Sequence, residues 1–314
     1  MRPVSRKLSA LLIVAMVLIL SGCSEQYLVL DPKGPIASAQ ADLILLTAII
    51  CAVIAIPVIA MTAVIAWRYR DRSNSKAKYK PYWEHSFKLE AIWWGIPIVA
   101  IAFLAIVTVN YTHKLEPSVA IQSENAPIEI QVTSLDWKWL FTYPDEEIAT
   151  VNYVKFPVDT PVVFKLTSDM AMNSFWIPSL GGQLYTMSGM AMTLNLLADE
   201  EGTYYGSGAN FTGKDFAQMT FDADVTTKEE YDRWVQEVKD TEVALTAEGV
   251  EELKVPGRSE VVQFSSFPEN VFYDIMLQYV EEGETSSHAH HMTSNTSTND
   301  DSAVDENLSE HHNH

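Results

Sequence analysis

Two long apolar runs joined by a short basic loop constrain this chain more than any other feature. "ADLILLTAIICAVIAIPVIAMTAVIAW" covers residues 41–67 and "AIWWGIPIVAIAFLAIVTV" covers residues 91–109. Each is long enough to cross about 30 Å of hydrocarbon as a helix. In that medium an open chain satisfies its backbone polar groups by being helical. Pro57 predicts a kink in the first span, and Trp67, Trp93, Trp94 and Tyr111 fall near the ends, where interfacial aromatics belong. The connection "RYRDRSNSKAKYK" carries Arg68, Arg70, Arg72, Lys76, Lys78 and Lys80 against Asp71 alone. The positive-inside rule puts such a loop in the cytoplasm. The expected layout is one span over 41–67, a cytoplasmic loop over 68–90 and a second span over 91–111. Everything after residue 114 then lies outside the cytoplasm.

The start of the chain reads as a targeting segment. "MRPVSRK" is a positive leader and "LSALLIVAMVLIL" an apolar stretch of signal-peptide length. It ends in "LSGC", Leu20 to Cys23, which resembles the lipobox of bacterial lipoproteins. That resemblance implies a signal peptide over 1–22, lipidation of the Cys23 sulfur and an extracytoplasmic segment over 23–40. The other cysteine, Cys51, lies inside the first span, so the outer domain is expected to fold without a disulfide.

The outer part differs in character. After residue 114 there are 35 acids against 9 bases, while the whole chain carries a formal charge of −20. Such a surface excludes nucleic-acid binding, which needs basic patches. "PIEIQVTSLDWKWLFTYP" alternates apolar and polar residues at period two, and "TVNYVKFP", "TPVVFKLTSD", "NSFWIP", "MAMTLNLLAD", "GTYYG" and "AQMTFDAD" read as further short strands. Pro, Gly and Asp punctuate them at sandwich-like spacing. "TTKEEYDRWVQEVKDTEVALTAEGVEELK" reads as helical, with Thr226 or Thr227 as its start. The expected division is a β domain over 120–225, a helical extension over 226–280 and a polar, acidic, His-rich tail over 281–314 that reads as disordered. Met170, Met172, Met187, Met190 and Met192 read as core packing. "HAHH" and "HHNH" in the tail read as solvated.

Several motifs in order now carry a resemblance. "HSFKLEAIWWGIPI" (85–98), "DWKWLFTYP" (136–144), "MNSFWIPSLGGQ" (172–183) and "GSGANF" (206–211) resemble stretches of subunit II of the haem–copper terminal oxidases. That family combines a two-helix transmembrane hairpin with an external all-β, cupredoxin-like sandwich. The resemblance covers the chain up to about residue 281. In cytochrome c oxidases of the family this domain holds a dinuclear copper centre bound by two Cys, two His, a Met and a backbone carbonyl. Here the first His position is Asn173, the two Cys positions fall near Thr203 and Ser207, and the second His position is Phe211. Met219 stands near the Met position, at a longer spacing. Soft sulfur is what selects such copper, and from residue 115 to 287 there is neither Cys nor His.

The resemblance therefore implies a quinol oxidase subunit II that carries no metal and no other cofactor. Haem and copper are expected in the partner subunit I. The complex would oxidise membrane quinol, reduce oxygen to water and translocate protons, with no catalytic residue on this chain. "DPKGP" and "LGGQLYTMSGM" resemble the aa3-type quinol oxidases of Gram-positive bacteria slightly better than the bo-type ubiquinol oxidases. By family position Glu90 marks the mouth of a proton-uptake channel; by position alone it is an interfacial acid at a helix start. Trp137 and Trp139 read as packing or subunit contacts. The expected partners are subunit I and other oxidase subunits, membrane lipid, and quinol through the complex. The expected location is the cell membrane, as a multi-pass lipoprotein. A copper-free cupredoxin-like lipoprotein serving as a binding or assembly module is the alternative.

Overall fold

The computed structural model describes residues 27–70, 82, 84–170 and 172–280. The expected signal peptide, Cys23, most of the basic loop and the His-rich tail lie outside the described residues.

Helix α1 (Pro35–Arg68) opens with proline at its first turn, where a missing N–H costs no hydrogen bond. Its 34 residues make it about 51 Å long, well beyond the hydrocarbon thickness. The surplus lies at the start. "PIASAQ" precedes the apolar run, and there Ala37 and Ala39 are buried at 2% and 5% exposure. Helix α2 (Phe87–Lys114) starts after Ser86 and ends with His113 and Lys114 in its last turn, where cations suit the dipole. Both helices run through a proline, Pro57 and Pro97. Both are long and apolar enough to cross a membrane, and neither has a polar face. Each carries one half-buried stripe: Leu43, Leu46 and Ile50 on α1, and Ala100, Leu104, Val107 and Tyr111 on α2. These i, i+3/i+4, i+7 spacings are those of a helix-packing seam. They occupy the two helix ends nearest the sandwich.

The sandwich has two sheets. One takes β1 (Ile128–Leu135), β2 (Lys138–Tyr143), β3 (Ile148–Val151), β5 (Val162–Ser168), β8 (Met192–Leu196) and β11 (Val262–Phe264) in the order β11-β3-β2-β1-β5-β8. The other takes β4 (Tyr153–Pro157), β6 (Asn173–Trp176), β7 (Leu184–Thr186), β9 (Gly202–Gly208) and β10 (Thr220–Thr226) in the order β4-β10-β9-β6-β7. Pairing is antiparallel except β1 with β5 and β4 with β10. Period-two alternation places Trp139, Phe141 and Tyr143 of β2 in the core between the sheets, while Leu140 joins a second cluster. Phe175 and Phe221 stack at 5.0 Å and 8°, and Trp139 meets both edge-on at 5.4 and 5.9 Å. Such pairs add about 0.5–1.5 kcal/mol each beyond their buried area.

The β1–β2 hairpin turns on Asp136 and Trp137, with Leu135 opposite Lys138. Trp137 takes a left-handed φ of 62°, an uncommon conformation for a bulky residue. Asn152 also adopts positive φ, 55°, which its side chain suits. Its Oδ1 accepts from Trp139 N at 2.8 Å and its Nδ2 donates to Ser259 O at 2.8 Å.

The C-terminal extension folds back on the first sheet. Helix α3 (Lys228–Thr241) begins at Thr227, whose hydroxyl accepts from Glu230 N at 3.2 Å, half of a capping box. Tyr231, Trp234, Val235 and Val238 form its buried stripe. Helices α4 (Ala247–Lys254) and α5 (Val271–Leu277) follow. Leu245, Val250, Val271 and Ile275 pack on Leu135, Leu140, Ala149 and Val151. The extension is not wholly helical. β11 lies between α4 and α5 and extends the sheet beyond β3, because three residues of "VVQF" suffice to pair an open edge.

The methionines depart from the core expectation. Met172 and Met190 are each 47% exposed, and Met170 and Met187 are half-buried. Met192 alone of the five packs against the core.

Candidate functional site

Three of the positions that the resemblance assigns to copper ligands, Asn173, Ser207 and Met219, fall at the end of the sandwich where β1 turns into β2, β6 begins and β9 ends. Asn173 opens β6 with no exposed surface. Its Nδ2 donates to the Met219 sulfur at 3.0 Å and reaches Ser134 Oγ at 3.4 Å, while its Oδ1 accepts from Ser174 N at 2.8 Å. Met219 is 1% exposed. Its carbonyl accepts from Gly208 N at 2.9 Å, which joins β9 to the start of β10. A Cβ on Gly208 would lie 3.1 Å from the Asn173 amide and 3.3 Å from the Met219 sulfur. Ser207 precedes it, nearly buried and opposite Thr220.

The remaining two positions lie elsewhere. Thr203 sits at the far end of β9 and donates to Asp224 at 3.2 Å. Four residues along a regular strand separate it from Ser207 by about 13 Å. Phe211 points outward with 81% exposure and meets Phe216 edge-on at 5.6 Å. The structure thus brings Asn173 and Met219 into contact, leaves Ser207 beside Gly208 on β9 and so facing the other side of the strand, and sets Thr203 and Phe211 apart. These residues do not fit a dinuclear copper centre. They offer no thiolate and no imidazole, and an amide N–H already occupies the one thioether. Among the described residues, no group of three His, Cys, Asp or Glu side chains is placed to hold a metal ion.

Two neighbours complete this end. Ser134, a β1 residue with no surface exposed, had no distinguishing mark in the sequence. Trp137 holds the loop after β9: its Nε1 donates to Thr212 O at 3.2 Å, and Lys214 lies 5.8 Å over its ring. Trp139, in contrast, is wholly inside the core. Gly206 and Gly208 of "EEGTYYGSGANF" serve packing. A Cβ on Gly206 would strike the Phe221 ring at 2.2 Å.

Glu90 lies at the opposite end of the molecule, in the first turn of α2. Its N donates to Ser86 O at 3.0 Å, and its Oε1 lies 2.6 Å from His85 Nδ1. Glu90 is a third exposed and His85 mostly exposed. The imidazole is a partner the sequence reading missed, though "HSFKLE" sets the two only five residues apart.

A third feature joins the helices to the sandwich. Lys33 N donates to Ser179 O at 2.8 Å, and Asp199 N donates to Lys33 O at 3.0 Å. Lys33 Nζ pairs with Glu200 at 2.7 Å. A Cβ on Gly34 would lie 2.1 Å from Leu197 O, and one on Gly182 would lie 2.8 Å from Gln40 Nε2. "DPKGP" and "SLGGQ", distant in sequence, are the two halves of one seat.

Lys138 caps α4. It is 4% exposed, and its Nζ donates at 2.7 Å to Leu253 O and to Val255 O. Burial pushes its ammonium below the usual lysine range, with Asp136 opposing. Removal of two C-terminal carbonyls from competition with water is what a helix end needs.

The comparisons agree with this geometry. The family profile described as "Cytochrome C oxidase subunit II, periplasmic domain" matches residues 144–226. The chain is 47% identical over 249 residues to the cytochrome bo(3) ubiquinol oxidase subunit 2 of Pseudomonas putida, covering 79% of this chain and 78% of that one. It is 42% identical to the protein of the same name from Pseudomonas aeruginosa, covering 88% and 83%. It is 43% identical to the quinol oxidase subunit 2 of Bacillus anthracis, covering 83% and 89%. Of these three, the P. putida ubiquinol oxidase subunit is the most similar, so the slight lean toward the Gram-positive type drawn from two short motifs is not reflected in the identities. Two apolar helices before a periplasmic-type domain fit a membrane protein with an extracytoplasmic domain. The chain belongs to the subunit 2 family of the quinol oxidases.

Proposed function

We propose that this chain is the non-redox subunit 2 of a respiratory quinol oxidase, which oxidises quinol within the membrane and reduces oxygen to water. The observation that carries the reading is the buried Asn173–Met219–Ser134 contact where copper-bearing relatives hold metal. A domain without thiolate or imidazole offers a water-soluble electron donor no relay, whereas a donor dissolved in the bilayer needs none. Haem and copper then belong to the partner subunit I, and this chain supplies anchorage and packing. Cys23, at the lipobox, is the lipidated residue and adds a third attachment beside two spans. Glu90, at the end of α2 away from the sandwich, lies at the cytoplasmic mouth of a proton-uptake route, with His85 beside it.

The test is purification from the membrane. The chain should copurify with a large haem-bearing subunit, and the complex should consume oxygen with quinol but not with reduced cytochrome c. Metal analysis should find about one copper per complex, all of it in the partner. Cytochrome c-driven turnover, or copper at the dinuclear stoichiometry held by residues 120–225, would refute the reading.

A further inference from the structure

A cavity of about 480 Å³ opens between α4, the turn that follows it, β11 and β2. Its size is that of a small-molecule pocket, and neither Asn173 nor Met219 lines it. Its walls are pinned. Leu245 N donates to Ser266 O at 2.9 Å, Gly257 N to Asp136 O at 3.4 Å, and Asn152 Nδ2 to Ser259 O at 2.8 Å.

Charge sets this cavity apart. The outer part of the chain carries 35 acids against 9 bases. Yet the charged side chains lining the cavity are two cations, Lys138 and Arg258, and one carboxylate, Glu252. Elsewhere on the domain Lys155, Lys214, Lys228 and Lys254 each pair with a carboxylate. Among the described residues, Lys138 and Arg258 pair with none. Lys138 is 4% exposed and gives two of its three N–H groups to Leu253 O and Val255 O, carbonyls of cavity-lining residues. Asp136 acts on it only from beyond ion-pair distance. A buried cation without a counter-ion is costly, and an anion that reaches it offsets part of that cost.

The rest of the lining decides which anion fits. Leu245, Leu253, Val255 and Phe264 supply apolar wall. A single net positive charge, set in an acidic domain, favours one negative charge over two. We propose that this cavity binds a small monocarboxylate, its carboxylate toward Lys138 and Arg258 and its apolar body against Leu245, Val255 and Phe264. The planar fork of Arg258 matches a carboxylate, and Lys138 offers its third N–H. Such a ligand ties the C-terminal extension to the sheet, because Lys138 belongs to β2 and Arg258 to the turn after α4.

The test titrates the full-length chain in detergent with para-fluorobenzoate, followed by fluorine NMR. The neutral para-fluorobenzamide corrects for partition into micelles, and para-fluorophenylphosphonate carries a second charge. The expected result is saturable benzoate binding with a dissociation constant on the order of 1 mM. The amide should bind about tenfold more weakly, and the phosphonate no more tightly than the benzoate. R258Q should weaken benzoate binding about fivefold. A244W, at an exposed position on the cavity wall, should block it. Neither substitution touches the Lys138 bonds to α4, and circular dichroism checks that both variants stay folded. Absence of saturable binding, equal affinity for benzoate and benzamide, or unchanged affinity in either variant would overturn the proposal. Tighter binding of the phosphonate would overturn it too, by making the cavity a phosphoryl site.

Discussion

The Asn173 amide donates to the Met219 thioether at 3.0 Å, and neither side chain reaches solvent. An amide N–H fills the direction from which a metal would approach the sulfur. The contact also explains why "GSG" needs its second glycine, since a Cβ on Gly208 would lie 3.1 Å from the amide.

Asn173→Leu should therefore destabilise the sandwich by about 1–3 kcal/mol, because Ser134 and the Ser174 N–H lose their partner inside the protein. Phe211→Ser, at a position 81% exposed, should change stability by no more than about 0.5 kcal/mol. Denaturant midpoints of the two full-length variants check the pair. Equal midpoints would show that the Asn173 network carries no stability.

The contrast between these positions shows what was legible in the sequence. The hairpin was readable because a bilayer admits few backbones, and the strands because "EIQVTSL" and "WLFTY" alternate. The ligand positions were readable as identities but not as places. Only the unbroken pairing of β9 shows Thr203 about 13 Å from Ser207. Ser134 and His85 were invisible because a partner across space leaves no period. The "core" reading of the methionines failed for all but Met192, because hydrophobic character does not say which side of a turn a residue takes. β11 was missed because three residues carry too little pattern to outweigh helical flanks.

Glu90→Ala should slow oxygen reduction by the assembled oxidase while haem content stays intact, and Glu90→Asp should lose less because it keeps a titrating group. The loss should be partial, since water still reaches a channel mouth without its carboxylate. His85→Ala should act in the same direction but more weakly, as the imidazole lies 2.6 Å from the carboxylate and not within the span. Turnover across pH decides. Parental rates in Glu90→Ala throughout would make Glu90 an interfacial acid at a helix start.

Gly34→Val should unseat the first turn of α1. Its Cβ would lie 2.1 Å from Leu197 O, a backbone atom that no rotamer change can move. Overpacking of this kind costs about 1–3 kcal/mol. Hydrogen exchange gives the local readout: the amides of Lys33 and Asp199 should lose protection, while those of β2 keep theirs. Unchanged protection at Lys33 would mean that the seat does not fix the helix.

The last prediction concerns alkaline pH. Burial, opposed in part by hydrogen bonding at the Lys155 backbone, raises the phenol of Tyr143 far above its usual range. Burial, then the nearby Tyr143 and Glu146 charges, does the same for Tyr231. Tyr153 is raised by burial and by its hydrogen bond to Asp224. In each case the folded value exceeds the unfolded value of about 10. The native state therefore holds protons that the unfolded chain gives up above that pH. The contribution is fully present below about pH 10 and is lost as pH rises. Tyr143 and Tyr231, both essentially buried, should each remove about 1.4 kcal/mol of stability per pH unit beyond it. The tyrosinate absorbance of the buried phenols should rise cooperatively with unfolding. Tyr231→Phe removes one proton from the linkage and should move the cooperative stage to higher pH. A single gradual rise, or an unfolding midpoint unmoved by Tyr231→Phe, would show that these phenols do not govern the alkaline limit.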